Sequence, residues 1–496
     1  MKILTSDQIN KADSYTIKNK KISSVELMEN AAKACSQWIK NKYSLKHKFI
    51  FLCGNGNNGG DGLAIARNLS KDGYSSLCFE YLVKKKSSKD FLVNKKKLQL
   101  KTKTLNLSSI KELTLDKKHI IIDSIIGSGL NRPLDEDLKE IISWINKNAK
   151  KIVSIDIPSG MFTEYNNENK HIINACYTLT FQFPKLSFML PEAGNFVGKF
   201  KVLDIGLDKN YIKKLPSSFF YNTKKSLKSF FKKYKKFDHK GNRGHLLLIA
   251  GSKGKIGASI LAGKVSFFSG LGKLTICTPK CGIEIIQTSL PEAMLEENNG
   301  RDFLSGKFNS KIKTIAIGPG IGTSKSTISY VESVFKNALS PLIVDADAIN
   351  IISKNKNLLD KLPENSILTP HPKEFERLVG IWKNDEEKLF KLKKLSLKYK
   401  IIIILKGAHT CISLPSNIIW FNSTGNPGMA KAGSGDVLTG LLGGLLAQGY
   451  PTDLCARLAV YLHGSAADIG SKKLSQEAIT SADIQEYLSI AIKKLY

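Results

Sequence analysis

Short apolar runs alternate with polar, glycine-bearing loops in the first part of the chain. Such runs occupy residues 47–53, 120–123 and 151–157, and each is followed by a loop that carries glycine. Runs this short, separated by stretches long enough for a helix, are typical of parallel strands joined by crossover helices. Ligands of such sheets bind beyond the carboxyl ends of the strands, so function is first sought in these loops.

The same alternation restarts near residue 245, which predicts a second α/β domain. Residues 209–240 stand between the two parts; they are dense in Lys, Ser, Phe and Tyr and show little strand alternation. Residues 434–496 are predicted to be a mostly helical tail. No repeated period runs through the chain, which excludes a solenoid. The apolar runs of the second part are residues 245–250, 314–317, 342–345 and 401–405.

Residues 6–39 have the pattern of a helix with a second start inside it. Ser23 is a candidate N-cap, and Glu26 follows it at the spacing of a capping box. The pattern therefore predicts a helix beginning just after Ser23.

The charge is strongly positive, yet its composition argues against nucleic-acid recognition. The 496 residues carry a net charge of +32, and six of the 75 basic residues are Arg. Specific contacts to bases and phosphates favour the bidentate guanidinium of Arg. Lys spread over the whole chain is typical of a solvated surface, so we expect no specific nucleic-acid partner. Non-specific attraction to polyanions at low salt remains open.

Cysteine usage and the apolar stretches indicate a reduced compartment. The chain has eight Cys without a C-x-x-C pair, so neither a disulfide framework nor a zinc site is supported. Its first residues lack the apolar core of a signal peptide. The longest apolar stretch, residues 437–447, contains several Gly and is too short for a membrane span. We therefore expect a cytoplasmic protein with no membrane partner.

Three predicted strand ends in the first domain carry candidate chemistry. Residues 54–62, Gly-Asn-Gly-Asn-Asn-Gly-Gly-Asp-Gly, follow one strand and open a helix, which suits phosphate binding by backbone amides. Asn58, Asp123 and Ser159 offer hard oxygen ligands with one formal charge, a set that suits a weakly hydrated monovalent cation better than zinc or calcium. Asp61 and Asp156 are the candidates for proton transfer.

With these motifs, residues 3–208 resemble the NAD(P)H-hydrate epimerase family. The matching segments are residues 24–31, 57–62, 127–133, 156–160, 183–185 and 204–206. The resemblance implies a Rossmann-like three-layer domain that interconverts the R and S hydrates at C6 of the reduced nicotinamide ring. It implies potassium bound by Asn58, Asp123 and Ser159. It implies that the hydrate is bound by Asn57, Asn58, Gly59, Gly60, Asp61, Gly127, Ser128, Gly129, Leu130, Asn131, Arg132, Pro133 and Asp156. Asp156 is our first choice for the proton shuttle, and Asp61 the second.

A second glycine-rich helix start lies at residues 426–438. Its Gly433-Ser434-Gly435 turn can cradle a phosphate with backbone amides. Asp436 follows in the first helical turn, where it can take a proton from an attacking hydroxyl.

Together with other strand-end loops, this turn resembles the ribokinase-like NAD(P)H-hydrate dehydratases over residues 225–496. The glycine-rich turn alone would indicate only a ribokinase-like kinase. Three further motifs distinguish this family from such kinases, at residues 371–375, 406–410 and 424–430. Ala432 stands where the family pattern has Gly, and Ser434 where it has Thr. The hydrate is implied to meet Ala258, Gly320, Gly322, His371 and Asp436. The nucleotide is implied to meet Lys406, Gly407, Ala408, His409, Thr410 and Gly435.

The expected protein is a fused repair enzyme. An epimerase domain, residues 1–208, is followed by a linker, residues 209–224, and by a dehydratase domain, residues 225–496. Asp436 is expected to act as the base while ADP, with ATP as the alternative, transfers its terminal phosphoryl group to the C6 hydroxyl; Mg²⁺ would bridge the nucleotide phosphates. We also expect a homo-oligomer.

Two other readings of the sequence stay open. One is a ribokinase-like salvage kinase with a non-catalytic N-terminal domain. The other is a polyanion-binding scaffold that uses the positive charge.

Overall fold

The protein forms two compact α/β units. The computed structural model describes residues 1–83, 85–98, 100, 102–165 and 170–496. The first unit comprises residues 2–217 and 384–386, and the second comprises residue 1, residues 218–383 and residues 387–496. The division at residues 217 and 218 lies within the predicted linker, residues 209–224.

The first unit is built on a parallel sheet. Its order is β4-β3-β2-β5-β6-β7-β8, and every described pairing in it is parallel. The strands of this sheet are β2 Lys48–Gly54, β3 Ser75–Tyr81, β4 Thr102–Thr104, β5 His119–Ser124, β6 Ile152–Ile155, β7 Tyr177–Phe181 and β8 Lys199–Leu203; a short strand outside it, β1 Lys2–Ile3, precedes them in the chain. The helices are α1 Ser6–Lys20, α2 Ser24–Lys42, α3 Asn57–Lys71, α4 Lys89–Lys97, α5 Leu107–Lys111, α6 Glu136–Asn148, α7 Pro191–Gly194 and α8 Lys209–Lys214, with a 3-10 helix at Leu186–Met189.

Both faces of this sheet are covered, as alternation along β2 requires. Phe49 and Phe51 join one apolar cluster, which includes residues of α2 and α3. Ile50 and Leu52 join another, which includes residues of α6. Successive strand residues point to opposite faces, so this division makes three layers. The predicted doubly covered α/β architecture is confirmed for this unit.

The second unit has a larger and mostly parallel sheet. From β9 its order runs β9-β18-β17-β16-β15-β14-β13-β10-β11-β12, and β17 is antiparallel to both neighbours. The strands are β9 Phe219–Asn222, β10 His245–Ile249, β11 Lys273–Pro279, β12 Met294–Asn298, β13 Thr314–Ile317, β14 Leu342–Val344, β15 Ile367–Leu368, β16 Ile402–Leu405, β17 Cys411–Ser413 and β18 Ile419–Asn422. The helices are α9 Lys224–Leu227, α10 Ile256–Phe268, α11 Ile283–Ser289, α12 Lys325–Asn337, α13 Ala346–Lys354, α14 Pro372–Val379, α15 Asp385–Tyr399, α16 Ser434–Ala447, α17 Thr452–Leu474 and α18 Ser481–Lys493; 3-10 helices lie at Lys228–Phe230, Lys280–Gly282, Lys356–Lys361 and Pro427–Met429.

The N-terminal helical region consists of two helices rather than one. Helix α1 ends with Lys21 in the left-handed region at φ 53°, and α2 starts after Ser23. The Ser23 hydroxyl accepts a bond from the Glu26 amide, while the Glu26 carboxylate accepts one from the Ser23 amide. The capping box predicted at Ser23 is therefore confirmed.

Helix α16 is packed by its glycines. A Cβ at Gly440 would collide with the carbonyl oxygen of Ala262 in α10, and one at Gly444 with the Ser269 hydroxyl. A Cβ at Gly443 would press on the Leu246 side chain of β10. The apolar, glycine-rich composition of α16 thus serves close packing inside a domain. Within the described part of the chain, no helix is both long and apolar enough to cross a membrane.

Candidate functional sites

A cavity of about 470 Å³ lies in the first unit, at the loops that follow its strands. It collects side chains from α1, from the start of α3 and from the loops after β5 and β6. The predicted binding residues that line it are Asn57, Asn58, Asp61, Gly127, Ser128, Gly129 and Asp156. The structure therefore brings the three predicted strand-end motifs into one place.

The remaining predicted residues of this site have other positions. A Cβ at Gly59 would strike the backbone of Gly54, so this glycine permits close packing of α3 on β2. Gly60 packs in the same way against Met28. Leu130 packs on the apolar cluster of the sheet, and Pro133 is exposed. A neighbouring recess is lined by Leu82, Val83, Lys85, Gly129, Asn131 and Arg132.

Asp156 is held in the cavity by an ion pair and by its backbone. Its φ of 62° is unusual for a residue with a side chain. Lys185 Nζ lies 2.8 Å from its Oδ1, and the Ser128 amide donates to its Oδ2 at 3.2 Å. Burial alone would raise the pKa of Asp156, but Lys185 and these hydrogen bonds lower it below the ordinary value. Asp156 is therefore an ionised acceptor in the cavity.

Two further carboxyl groups face the same cavity and have the opposite tendency. Burial, followed by repulsion from Asp156 and Asp13, raises the pKa of Asp61 well above its ordinary value. Burial and repulsion from Asp156 raise the pKa of Asp13 to about 6. The cavity thus combines one group that stays ionised with two that hold protons more readily, a pattern typical of acid–base sites.

Two of the proposed cation ligands, Asp123 and Ser159, are joined by hydrogen bonds, and the third, Asn58, lines the cavity. Ser159 donates from its hydroxyl to Asp123 Oδ1 at 2.5 Å and from its amide to Oδ2 at 2.9 Å. Asp123 is fully buried, and burial raises its pKa despite these bonds. The amide oxygen of Asn58 is buried without a hydrogen-bond partner in the described structure. A buried carboxylate and an unpartnered oxygen fit a cation such as potassium.

In the second unit, Asp345 lies at the end of β14 and joins several loops. It is almost fully buried and accepts from Lys406 Nζ at 3.0 Å, from Thr369 at 2.6 Å and from Thr439 at 2.7 Å. Burial alone would lower the pKa of Lys406, but the carboxylates of Asp345 and Glu374 raise it. Lys406 is therefore a charged group held in place at the strand ends.

Asp436 lies in the first turn of α16, next to this network. Gly433 caps the helix at φ 85°, a left-handed conformation that glycine allows. Burial, and then repulsion from Asp345, raises the pKa of Asp436 to about 7, while Lys406 opposes this rise. A carboxyl group with a pKa near neutrality can accept and release a proton at physiological pH.

The predicted hydrate-binding residues of this unit cluster only in part. A Cβ at Gly320, where φ is 64°, would lie 3.1 Å from that of Ala258, so the two residues are neighbours. The amide of Gly322 donates to Asp347 at 2.9 Å. His371 caps α14 by accepting two amide bonds at Nδ1. Burial and Lys406 lower the pKa of His371, which favours its neutral form.

The residues of the predicted nucleotide loop, 406–410, have different surroundings. Lys406 is close to Gly435, because a Cβ on that glycine would lie 3.4 Å from Nζ. His409 turns toward the carbonyl of Asn422, at 3.0 Å, and Thr410 donates to the carbonyl of Gly407. Gly407 and Ala408 are exposed, and the Gly407 amide donates to the Thr410 hydroxyl at 3.4 Å.

Sequence reasoning missed several residues of these sites. Asp13, in the middle of α1, has the spacing of an ordinary helical residue. Lys185 belongs to a motif that the sequence analysis named, and Asp345 to a strand-end run, but neither residue was given a role. His463, in α17, lies 3.5 Å from the Ser434 hydroxyl, and burial lowers its pKa to about 4. Only contacts between distant segments reveal these four residues.

Comparison with known proteins covers both units. Residues 24–187 match the family model described as YjeF-related protein N-terminus, and residues 246–489 match the one described as NAD(P)H-hydrate dehydratase. The chain is 31% identical over 523 residues to a bifunctional NAD(P)H-hydrate repair enzyme of Moorella thermoacetica, with coverage of 100% of this chain and 97% of that protein. The Escherichia coli enzyme of the same name is 28% identical over 461 residues, covering 92% and 88%.

Solved structures resemble the second unit. An ADP/ATP-dependent NAD(P)H-hydrate dehydratase from Bacillus subtilis, co-crystallised with ATP and Mg²⁺, is 31% identical, with a TM-score of 0.50. The match covers 56% of this chain and 99% of that one. A ribokinase-like superfamily protein from Enterococcus faecalis is 28% identical, with a TM-score of 0.51 and coverage of 57% and 98%. The predicted ribokinase-like fold is confirmed.

Proposed function

The chain belongs to the family of bifunctional NAD(P)H-hydrate repair enzymes, and on that premise we propose how its two units share the repair. Residues 1–208 epimerise the R and S hydrates of NADH and NADPH, residues 209–224 link the domains, and residues 225–496 dehydrate the S hydrate with a nucleotide. The observation that carries this division is a separate carboxylate site in each unit: Asp156 with Lys185 in one, Asp436 with Lys406 in the other. Full-length similarity to repair enzymes favours this function over a salvage kinase or a polyanion-binding scaffold.

In the first unit, epimerisation breaks and remakes the bond between C6 and its hydroxyl oxygen. The lone pair of the ring nitrogen forms a C6–N1 double bond as the oxygen leaves with the bonding electrons and gains a proton. Water then adds to C6 on the other face and gives up a proton. Asp156, kept ionised by Lys185, accepts that proton. The phosphates of the hydrate face the amides at the start of α3.

Potassium would be held by Asn58, Asp123 and Ser159. The buried Asp123 carboxylate and the unpartnered Asn58 oxygen support this assignment. When bound, the ion would supply positive charge beneath the cavity, close to an anionic substrate.

In the second unit, Asp436 takes the proton of the C6 hydroxyl while the oxygen attacks the terminal phosphoryl group of the nucleotide. The bond between that phosphorus and the oxygen that joins it to the rest of the nucleotide breaks. With ADP as the donor, the leaving group is AMP. Phosphate then departs from C6 with its bonding electrons as the ring nitrogen donates its lone pair. Loss of a proton from C5 completes NAD(P)H. Lys406, fixed by Asp345, supplies positive charge at the strand ends.

ADP is the proposed phosphoryl donor, with ATP as the alternative that the assay must compare. Mg²⁺, when bound, would offset the negative charge of the nucleotide phosphates. The carboxylate of Asp345 is already engaged by three protein donors.

The decisive experiment supplies mixed R and S NADH hydrate with ADP or ATP and Mg²⁺, and follows NADH absorbance together with the R/S ratio. Asp436→Asn should abolish NADH recovery and leave R/S exchange intact, since the two chemistries use different carboxylates. Asp360→Asn, an exposed carboxylate in the same unit, is the matched control and should behave as wild type. Loss of exchange in a folded Asp436→Asn protein would contradict the division of labour.

Asp156→Asn tests the epimerase half. General acid–base catalysis contributes roughly 10²–10⁴-fold, so enzymatic exchange should fall by about that factor. Pure S hydrate should be dehydrated at the normal rate, while pure R hydrate should give NADH only as fast as spontaneous exchange allows. Wild-type recovery from R hydrate would remove Asp156 from this role and make Asp61 the next candidate.

A cytoplasmic location is proposed because the substrates, nicotinamide cofactors and ADP, are abundant there. A homo-oligomeric assembly stays a prediction, which light scattering of the purified protein tests directly.

A further inference from the structure

Asp13 occupies a position in the epimerase cavity that the mechanism so far leaves without a role. It lies on α1, whose buried side includes Ile9, Ala12 and Thr16. Its side chain lines the same cavity as Asp61 and Asp156, although it comes from a different segment of the chain. Its Oδ1 is buried, and no hydrogen-bond partner contacts that atom in the described structure.

A buried carboxyl oxygen without a partner is energetically costly unless the group is protonated or a ligand completes it. Nothing in the packing of α1 requires a carboxyl group at this point, since neighbouring buried positions of the helix are filled by apolar or hydroxyl side chains. The cavity is also where the hydrate must lie for Asp156 to act on it. The position therefore indicates a group that meets the substrate.

The chemistry of epimerisation requires two proton transfers at different faces of one carbon atom. A hydroxyl leaving one face must gain a proton, while water entering at the other face must lose one. Asp156 is fixed by Lys185 and by the Ser128 amide, so it cannot move from one face to the other. A second acid–base group, held by another element of the fold, meets this requirement.

We propose that Asp13 is this second catalytic acid–base residue, which protonates the leaving C6 hydroxyl while Asp156 accepts a proton from the incoming water. The inference rests on the proposed role of Asp156. In one direction the proton of Asp13 passes to the departing oxygen, which leaves as water, and a proton of the attacking water passes to Asp156. In the reverse direction the roles are exchanged. One proton is moved from Asp13 to Asp156 in each turnover, and exchange with solvent or a reverse turnover restores the starting form.

The surroundings of the two remaining candidates favour Asp13 over Asp61 for this task. A pKa of about 6 allows Asp13 to lose and regain a proton near neutrality, whereas burial and then repulsion from three neighbouring carboxylates hold the pKa of Asp61 well above its ordinary value. The titratable groups that face Asp13 are Asp156, which raises its pKa, Lys185, which lowers it, and Asp61, whose own pKa is raised by Asp13. The helix packed against α1 is α8, and its titratable residue Tyr211 stacks on Tyr15 of α1.

The test uses the full-length protein and measures R/S exchange of NADH hydrate as a function of pH. Asp13→Asn should lower exchange by roughly 10²–10⁴-fold, because it removes one of two proton-transfer groups. It should also remove the alkaline decline of the wild-type profile, where Asp13 loses its proton. Asp7→Asn, an exposed carboxylate on the same helix, is the matched control and should keep both rate and profile. Circular dichroism and thermal unfolding of each variant report whether it is folded, and dehydration of pure S hydrate, which uses the other unit, should be unchanged.

A wild-type rate and profile in Asp13→Asn would overturn the inference. If that variant fails to fold, Asp13→Glu decides the question: it should keep an alkaline decline, and a profile without one would equally refute the proposal. Absence of exchange in the wild-type protein would instead refute the proposed function itself, and with it this inference. Normal exchange in Asp156→Asn together with loss in Asp13→Asn would leave Asp13 without its proposed partner and overturn the two-residue mechanism.

Discussion

Lys185 Nζ lies 2.8 Å from Asp156 Oδ1, and both side chains are almost completely removed from solvent. An ion pair in such a place is stable only while both partners are present, because each charge alone would be buried without compensation. The pair fixes the ionised state of Asp156 and, through it, the electrostatics of the cavity.

Lys185→Met should therefore both destabilise the protein and slow epimerisation. Removing one partner of a buried pair costs roughly 3–5 kcal/mol, which chemical denaturation at neutral pH would measure. The pKa of Asp156 is lowered in the folded protein, so the stability contributed by the pair is present above the ordinary pKa and disappears as pH falls through the lowered one. The difference between variant and wild type should shrink in that acidic range; a difference independent of pH would contradict the ion-pair explanation.

Asp123→Asn should make epimerisation depend more strongly on potassium. The variant keeps the shape of the side chain but removes the charge from the proposed cation site. We expect a higher potassium concentration for half-maximal exchange and an unchanged rate of S-hydrate dehydration. Asp116→Asn, an exposed position in the same unit, serves as the control. Exchange that is equally fast with potassium, with sodium or with neither would refute the site.

Asp345→Asn should shift the pH profile of dehydration. Asp436 must be ionised to act as a base, so the rate should rise with pH through about 7, the raised pKa of this group. Part of that rise in pKa comes from repulsion by Asp345, and removing its charge should move the ascending part of the profile to lower pH. Steady-state dehydration of pure S hydrate measures this shift. An unchanged midpoint in a folded variant would separate Asp345 from the tuning of Asp436.

Local patterns predicted much of the fold and of the candidate sites, because they act over a few residues. The Ser23 and Glu26 capping box, the strand-end loops and the glycine-rich helix starts all depend on neighbours in sequence. Asp13 and Lys185 could not be assigned in this way. Their roles come from the folded cavity, where segments far apart in sequence meet Asp156.

Hydrogen bonds between distant segments add contacts that the sequence does not show. Binding of a nucleotide by His409 stays a prediction; the structure adds a contact between its ring and the carbonyl of Asn422, which no motif in the 406–410 loop encodes. Asp345 likewise gains its importance only from Lys406, Thr369 and Thr439, which come from three other segments.

The glycines of α16 give this helix an unusual mutational character. Gly440 stands just over one turn beyond Asp436, and its contact is with the backbone of α10, which cannot move aside as a side chain can. Any side chain at Gly440 must displace the helix as a rigid rod, and the carboxylate at its first turn moves with it. Gly440 therefore controls the position of Asp436, although it does not itself line the candidate site. A larger residue at Gly440 would leave Asp436 in place only if α10 also changed at the point of contact.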